Sequence, residues 1–221
     1  MKIFVNAGHA PNGIPDLGAV GPNGLRESDV ALAIAGKVAS YLVTAGHDAV
    51  IFQNDDLAMI TGSSDEFGAD LFVSIHCNSC DNPDVYGAET FAANGSAEGE
   101  KAAKMVQAQI MADNDTNDRG VKFANFYVLR YTAAPAILVE TEFISNTEKE
   151  PIMATEAWQD KIAAAIARGI TDYAAGKDRT VIQYVPKASA SDADVELNKA
   201  QPQVGVKVNG QDYKFDLVQG E

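Results

Sequence analysis

The chain has 221 residues, 46% of them hydrophobic, enough for one large domain or a domain with an appendage. Seventeen Lys and Arg stand against 31 Asp and Glu, a formal net charge of −14. That balance argues against nucleic-acid binding and against attraction to an anionic surface, so recognition of such a polymer must come from a local site.

The opening "MKIFVNAGHAPNG" carries one lysine and then too few apolar residues for a secretory signal peptide. It reads instead as a strand, "KIFVNAG", that stops at Gly8. "ESDVALAIAGKVASYLVTAG" has helical spacing through Val30, Ile34, Val38 and Leu42, with Ser28 as the expected N-cap and Gly46 as the stop. "DAVIFQN" reads as a second strand, followed by an irregular stretch. "ADLFVSIHCN" is an apolar run ending in polar residues, the pattern of a central strand.

"AETFAA" reads as another strand, and a helix is expected from about Ser96 to Asp113 through Ala102, Val106 and Ile110. "FYVLR" and "PAILVETEF" are two more strand candidates, and "EAWQDKIAAAIARGITDYAAG" is a periodic helix through Trp158, Ile162, Ile166 and Ile170. The alternation predicts an α/β domain over residues 1–177, with a central mixed, mostly parallel sheet flanked by helices. Residues 178–221 read as a polar linker and a short C-terminal β-hairpin, "VGVKVNGQDYKFDLV", turning at Asn209-Gly210 in type I′ geometry. The hairpin could dock on the main domain, mediate self-association, or belong to a longer β module.

No run approaches the roughly 18 apolar residues of a membrane span, so no transmembrane segment is expected. With no signal peptide in view, the expected chain is cytoplasmic with later release or a clipped secreted protein. The two cysteines, Cys77 and Cys80, have C-x-x-C spacing, but a structural zinc site needs a second pair and none exists. Two ordinary thiols are expected.

His9 and His76, two of only three histidines, each follow a run read as a strand. Ligands of open α/β sheets bind beyond the carboxyl ends of the strands, so both imidazoles can share one rim. His47 lies between helix and strand and reads as a solvated loop residue. Glu27 opens the first helix, where a carboxylate also suits the helix dipole, and a Gly/Pro-rich loop leads to it directly from His9. Two histidines and a carboxylate, with a fourth position left open, are a catalytic zinc donor set. The alternative is two core histidines and an ordinary first-turn acid. No H-E-x-x-H occurs.

The segments "NAGH", "DLGAVGPNGLRESDVALAIA", "ADLFVSIHCNS", "YGAETF", "DRGVKFANFYVLR" and "PAILVETEFISN" occur in the order of one family. Over roughly residues 1–175 the chain resembles the zinc-dependent N-acetylmuramoyl-L-alanine amidases of the amidase-3 family, which cut peptide stems from bacterial cell-wall glycan. The resemblance implies one zinc ion per chain, held by His9, Glu27 and His76, with Glu140 as catalytic acid/base. It also implies peptidoglycan as substrate and the bacterial cell wall as the place of action. Two departures are Asn6-Ala7, where the family commonly has Asp-Pro, and Glu142, where it commonly has glycine. Asn6 bears on the hydrogen bond behind the His9 ligand, and Glu142 is expected to face solvent at the strand end. Asn78, Arg119, Arg130 and Asn146 are candidates for substrate contact or for loop and turn capping.

Overall fold

The computed structural model describes residues 1–176 together with the strand segments Gln203–Val208 and Gln211–Asp216. Six strands form one sheet: β1 (Lys2–Ala7), β2 (Asp48–Gln53), β3 (Leu71–Asn78), β4 (Ala88–Ala92), β5 (Asp118–Phe123) and β6 (Ala136–Phe143). Their order is β2-β1-β3-β6-β4-β5, and every neighbouring pair is parallel except β4 with β6. This is the mixed, mostly parallel α/β sheet that the sequence predicts. The helices are α1 (Glu27–Thr44), α2 (Leu57–Phe67), α3 (Ala97–Asp113), α4 (Tyr127–Arg130), α5 (Glu150–Met153) and α6 (Glu156–Ala174).

The two faces of the sheet are covered unequally, and this positions the site. Alternate residues Ile3, Val5 and Ala7 of β1, Leu71, Val73, Ile75 and Cys77 of β3, and Ile137 and Val139 of β6 share one buried cluster with α1, α3 and α6. The helical stripe Val30, Ile34, Val38 and Leu42 is at most 1% exposed, and burying each such side chain contributes about 1.5–3 kcal/mol. The intervening residues Phe4, Phe72 and Leu138 form a smaller cluster with Ile60 of α2 and with Val128 and Leu129 of α4. Two short helices cannot cover that face to its end. By the period-2 rule, His76 and Glu140 lie on this thinly covered side, at the carboxyl ends of their strands.

Three local expectations are corrected. The stretch after β2 forms α2, capped by Asp56, whose Oδ1 accepts from the Ala58 and Met59 N–H groups. Its Gly62-Ser63-Ser64 centre and its exposed Leu57 and Met59 hide the helical period. "FYVLR" supplies one helical turn rather than a strand, and its adjacent Val128 and Leu129 enter the same buried cluster, where a strand would send them to opposite faces. The neighbouring strand is β5, a half-exposed edge interrupted by Gly120 in the left-handed region. Ser28 does not cap α1. The helix begins at Glu27, and the Glu27 and Ser28 N–H groups are taken by the carbonyls of Ala19 and Leu17 in the preceding loop.

β7 (Gln203–Val208) and β8 (Gln211–Asp216) pair antiparallel with Val208 opposite Gln211, in a sheet of their own. The expected linker and the Asn209-Gly210 turn lie outside the described residues. Nothing in the paired strands supports self-association. No described helix is long and apolar enough to cross a membrane.

Candidate active site

β1 ends at Ala7, and Gly8 and His9 turn the chain off the sheet. A Cβ at Gly8 would lie 2.4 Å from the His76 ring, so the first strand can pass beside that imidazole only with glycine there. His9 has φ 65°, a left-handed conformation costing an L residue roughly 1–2 kcal/mol, which aims its ring back over the rim. Buried Gln53 secures the turn by donating from Nε2 to the carbonyls of Gly8 and Ser28, joining β1, β2 and the start of α1.

The Gly/Pro-rich loop then returns to Glu27. It is pinned by Glu150, a carboxylate 1% exposed that accepts from the Asn23 and Leu25 N–H groups and from Asn23 Nδ2. Gly18, at φ +69°, lies so close that a Cβ would stand 2.5 Å from the His9 ring and 2.7 Å from Glu27 Oε2. The loop thus brings both groups together, as the sequence predicts. Glu150, the first residue of α5, and Asp16, in the loop, do the holding, and neither is marked as such in the sequence.

His9 Nε2 lies 2.9 Å and His76 Nδ1 3.0 Å from Glu27 Oε1. One donor atom from each of the three residues lies within 4.8 Å of the others. Glu27 is 4% exposed, and its carboxylate also accepts from the Ala19 and Cys77 N–H groups. The other His9 nitrogen, Nδ1, is 2.7 Å from Asp16 Oδ2, and Asp16 Oδ1 accepts from the Gly18 N–H. A carboxylate behind a ligating imidazole fixes its tautomer and raises its basicity. Asn6 does not serve this purpose: it donates to Ser74 Oγ at 2.8 Å.

Burial disfavours the charged imidazolium of His9, but the Glu27 and Asp16 carboxylates outweigh it and push its pKa up to about 9. Burial works against the Glu27 carboxylate too, yet the two imidazoles hold its pKa well below the ordinary range. The cluster therefore demands positive charge between its donors, supplied by protons or by a cation. Two nitrogens and one carboxylate oxygen at this spacing fit zinc.

Glu140 pairs in register with His76 on β3 and with Glu89 on β4. As a residue it is partly buried, but its Oε2 is sealed from solvent and has no hydrogen-bond partner among the described residues. Burial raises its pKa to about 7, against the pull of His76. Beyond this pair the register slips by one residue, with Asn78 opposite Phe143, a bulge on β6. Glu142 consequently does not face solvent. It is 1% exposed and accepts from the Gly87 N–H, the Phe143 N–H and Thr116 Oγ1.

The remaining candidates fall in different places. Asn78 Nδ2 and Arg119 Nε both donate to Glu89, beside Glu140. Asn146 Oδ1 accepts from the Glu148 and Lys149 N–H groups and so caps the turn into α5. Arg130 lies over the Tyr131 ring. His47 is half-buried, with Nε2 3.3 Å from Thr171 Oγ1, rather than a solvated loop residue. Cys77 and Cys80 are free, the former buried and the latter exposed.

A largely apolar cleft of about 250 Å³ opens beside the donor cluster, with His9, His76, Leu57, Ile60, Phe126 and Tyr127 in its wall. A larger cleft of about 510 Å³, between Tyr86, Thr116, Asn146 and Lys149, touches none of the four central residues. The smaller one is lined by two of them, His9 and His76.

Residues 3–172 match the N-acetylmuramoyl-L-alanine amidase family. The chain belongs to that family. N-acetylmuramoyl-L-alanine amidase LytC of Bacillus subtilis is 37% identical over 177 residues, covering 77% of this chain and 35% of LytC, so the match spans about a third of that relative. N-acetylmuramoyl-L-alanine amidase AmiA of Escherichia coli is 31% identical, covering 77% of this chain and 75% of AmiA. Among solved structures, the amidase AmiC2 of Nostoc punctiforme superposes with a TM-score of 0.74 at 36% identity, covering 79% of this chain and 97% of AmiC2. The sheet and the rim bearing the four residues fall within the matched amidase region.

Proposed function

We propose that the chain hydrolyses the amide between N-acetylmuramic acid and L-alanine in bacterial peptidoglycan, acting on the cell wall. His9, Glu27 and His76 hold one zinc ion, and Glu140 is the general acid/base. The observation that carries this reading is the contrast inside the site: three donors converge on one point while Glu140 Oε2, in register beside His76, is buried and unpartnered. Membership of the amidase family and the fit of the donor set to zinc support it.

Bound zinc supplies Lewis acidity toward the amide carbonyl and acidity toward a water molecule. The chain's own residues do the rest. Asp16 holds the His9 ring in the orientation that presents Nε2. Glu140 takes a proton from the attacking water as its oxygen bonds to the lactyl carbonyl carbon, then delivers a proton to the departing nitrogen as the C–N bond breaks. In the metal-free chain burial holds that carboxyl up at about 7, and a cation bound beside it would draw it back toward the base form. The products are a lactyl carboxylate on intact glycan and a peptide with a free L-alanine amino terminus.

Purified peptidoglycan incubated with wild type and with Glu140→Gln tests the reading. New amino termini identified as L-alanine, from wild type alone, are expected. Release of other amino termini, or no release by a zinc-loaded wild type, would overturn it.

A further inference from the structure

The rim does not end at Glu140. Glu89 on β4 stands opposite Glu140 in the antiparallel pair, and opposed residues share a face with Cβ atoms about 5 Å apart. Glu89 is 4% exposed, and its two oxygens are divided among three donors. Oε1 accepts from Asn78 Nδ2 at 2.9 Å, while Oε2 takes Arg119 Nε at 2.6 Å and Lys122 Nζ at 2.5 Å. Burying one carboxylate calls for one cation, and here there are two. Glu89 thus has two cations where one would balance it, with the Glu140 carboxyl opposite it as the next acid on the same face.

The second cation is not a loose surface residue. The Arg119 guanidinium lies over the Phe143 ring at 4.7 Å, and Lys122 Nζ stands 5.9 Å from the Phe91 ring centre. Arg119 engages Glu89 through Nε, and its two Nη atoms make no hydrogen bond among the described residues. Both side chains keep part of their surface in solvent, 28% for Arg119 and 38% for Lys122. The result is a braced pair of cations with free donor positions on β5, two strands from the proposed acid/base on β6. On the opposite side of Glu140, the cleft beside His9 and His76 is largely apolar, and neither Arg nor Lys lines it.

We propose that Arg119 and Lys122 form an anion subsite that binds a carboxylate of the stem peptide, on the leaving-group side of the scissile amide, with Glu89 holding both cations in place. This rests on the amidase reading above. A guanidinium with two unused donors is suited to a planar carboxylate. A structural ion pair alone would hold Glu89 but would not discriminate between substrates.

The test uses two N-acetylmuramoyl tripeptides that differ only in whether the residue after L-alanine carries a free carboxyl group or the corresponding carboxamide. Wild type is expected to prefer the free carboxyl about tenfold in kcat/KM, from one charge-assisted contact at a partly exposed site. In Lys122→Gln, which leaves Arg119 to pair Glu89, and in Arg119→Gln, that preference should fall toward one, mainly through KM. Equal turnover of the two tripeptides by wild type, or an equal loss on both in the variants with the preference kept, would overturn the subsite. If wild type cleaves neither tripeptide nor peptidoglycan, the amidase reading fails and the subsite with it. Cleavage of peptidoglycan with no preference sinks the subsite alone.

Discussion

Glu140 and Glu142 stand two residues apart on one strand, and both carry carboxylate oxygens removed from water. Their treatment by the fold is opposite. Glu142 accepts from two backbone N–H groups and a threonine hydroxyl. Glu140 leaves one oxygen buried with nothing among the described residues to accept from. A buried carboxylate without partners costs several kcal/mol by rough estimate, and a fold keeps such a group where chemistry uses it. The bulge between the two residues makes this division possible, since it turns one carboxylate toward the donor cluster and the other into the β4–β5 side.

The sharpest way to break the contrast is to remove the cluster that Glu140 faces. Chelation, or His76→Ala, is expected to abolish hydrolysis and lower the melting temperature, because only the folded chain assembles the three donors. Metal content by atomic absorption, with Tm measured in parallel, checks both. Full activity in a verified metal-free sample would refute the zinc site. Glu140→Gln should instead keep stoichiometric zinc while lowering kcat roughly a hundred- to ten-thousandfold. Loss of the metal in that variant would make Glu140 a ligand rather than the acid/base.

These expectations draw on residues that were unequally legible in the sequence. His9 and His76 announce themselves because each imidazole follows an apolar run, and strand ends are where ligands gather. Glu27 is visible by its place at a helix start. Asp16 and Glu150 are not, because an acid in a loop or opening a one-turn helix carries no periodicity, and the partner of Glu150, Asn23, lies more than a hundred positions away. Glu142 is misread for a related reason. The period-2 rule gives a side chain's face only while the ladder is regular, and a one-residue slip in register leaves no mark in composition. Among the elements, the long helices with unbroken apolar stripes are evident. The one-turn helix at Tyr127–Arg130 is not, since aromatic and β-branched residues read as strand until Val128 and Leu129 are found in the same buried cluster.

The same contrast predicts a different phenotype at Glu142. Glu142→Ala would strand the Gly87 and Phe143 N–H groups and the Thr116 hydroxyl inside the fold, and should cost about 3 kcal/mol of stability. Denaturant unfolding of the zinc-loaded protein measures it. Zinc stoichiometry should remain unchanged, because Glu142 contacts none of the three donors. A stable variant with reduced turnover would mean that Glu142 belongs to the chemistry after all.

An effect no larger than this is the most specific to an unpartnered carboxylate. The Glu140 pKa is raised from the ordinary 4.5 to about 7 by burial, so between those values the folded chain binds a proton that the unfolded chain has released. Stability from this group is therefore full below about pH 4.5 and is lost as the pH rises through about 7. His9 and Glu27 also titrate in the metal-free protein, in opposite senses, and Asp16, His47 and Glu89 are shifted too, so the wild-type curve alone mixes several contributions. Subtracting it from the Glu140→Gln curve removes what the two proteins share and leaves the Glu140 contribution with its coupling to His76, Glu27, Glu89 and His9. The stability difference between Gln variant and wild type, both metal-free, should grow in the variant's favour across that window by on the order of 3 kcal/mol, then level off above pH 7. Glu142→Gln offers a comparison at a carboxylate matched by three donors. A flat difference curve at Glu140 would mean that solvent reaches its second oxygen, and the contrast between the two glutamates would lose its physical basis.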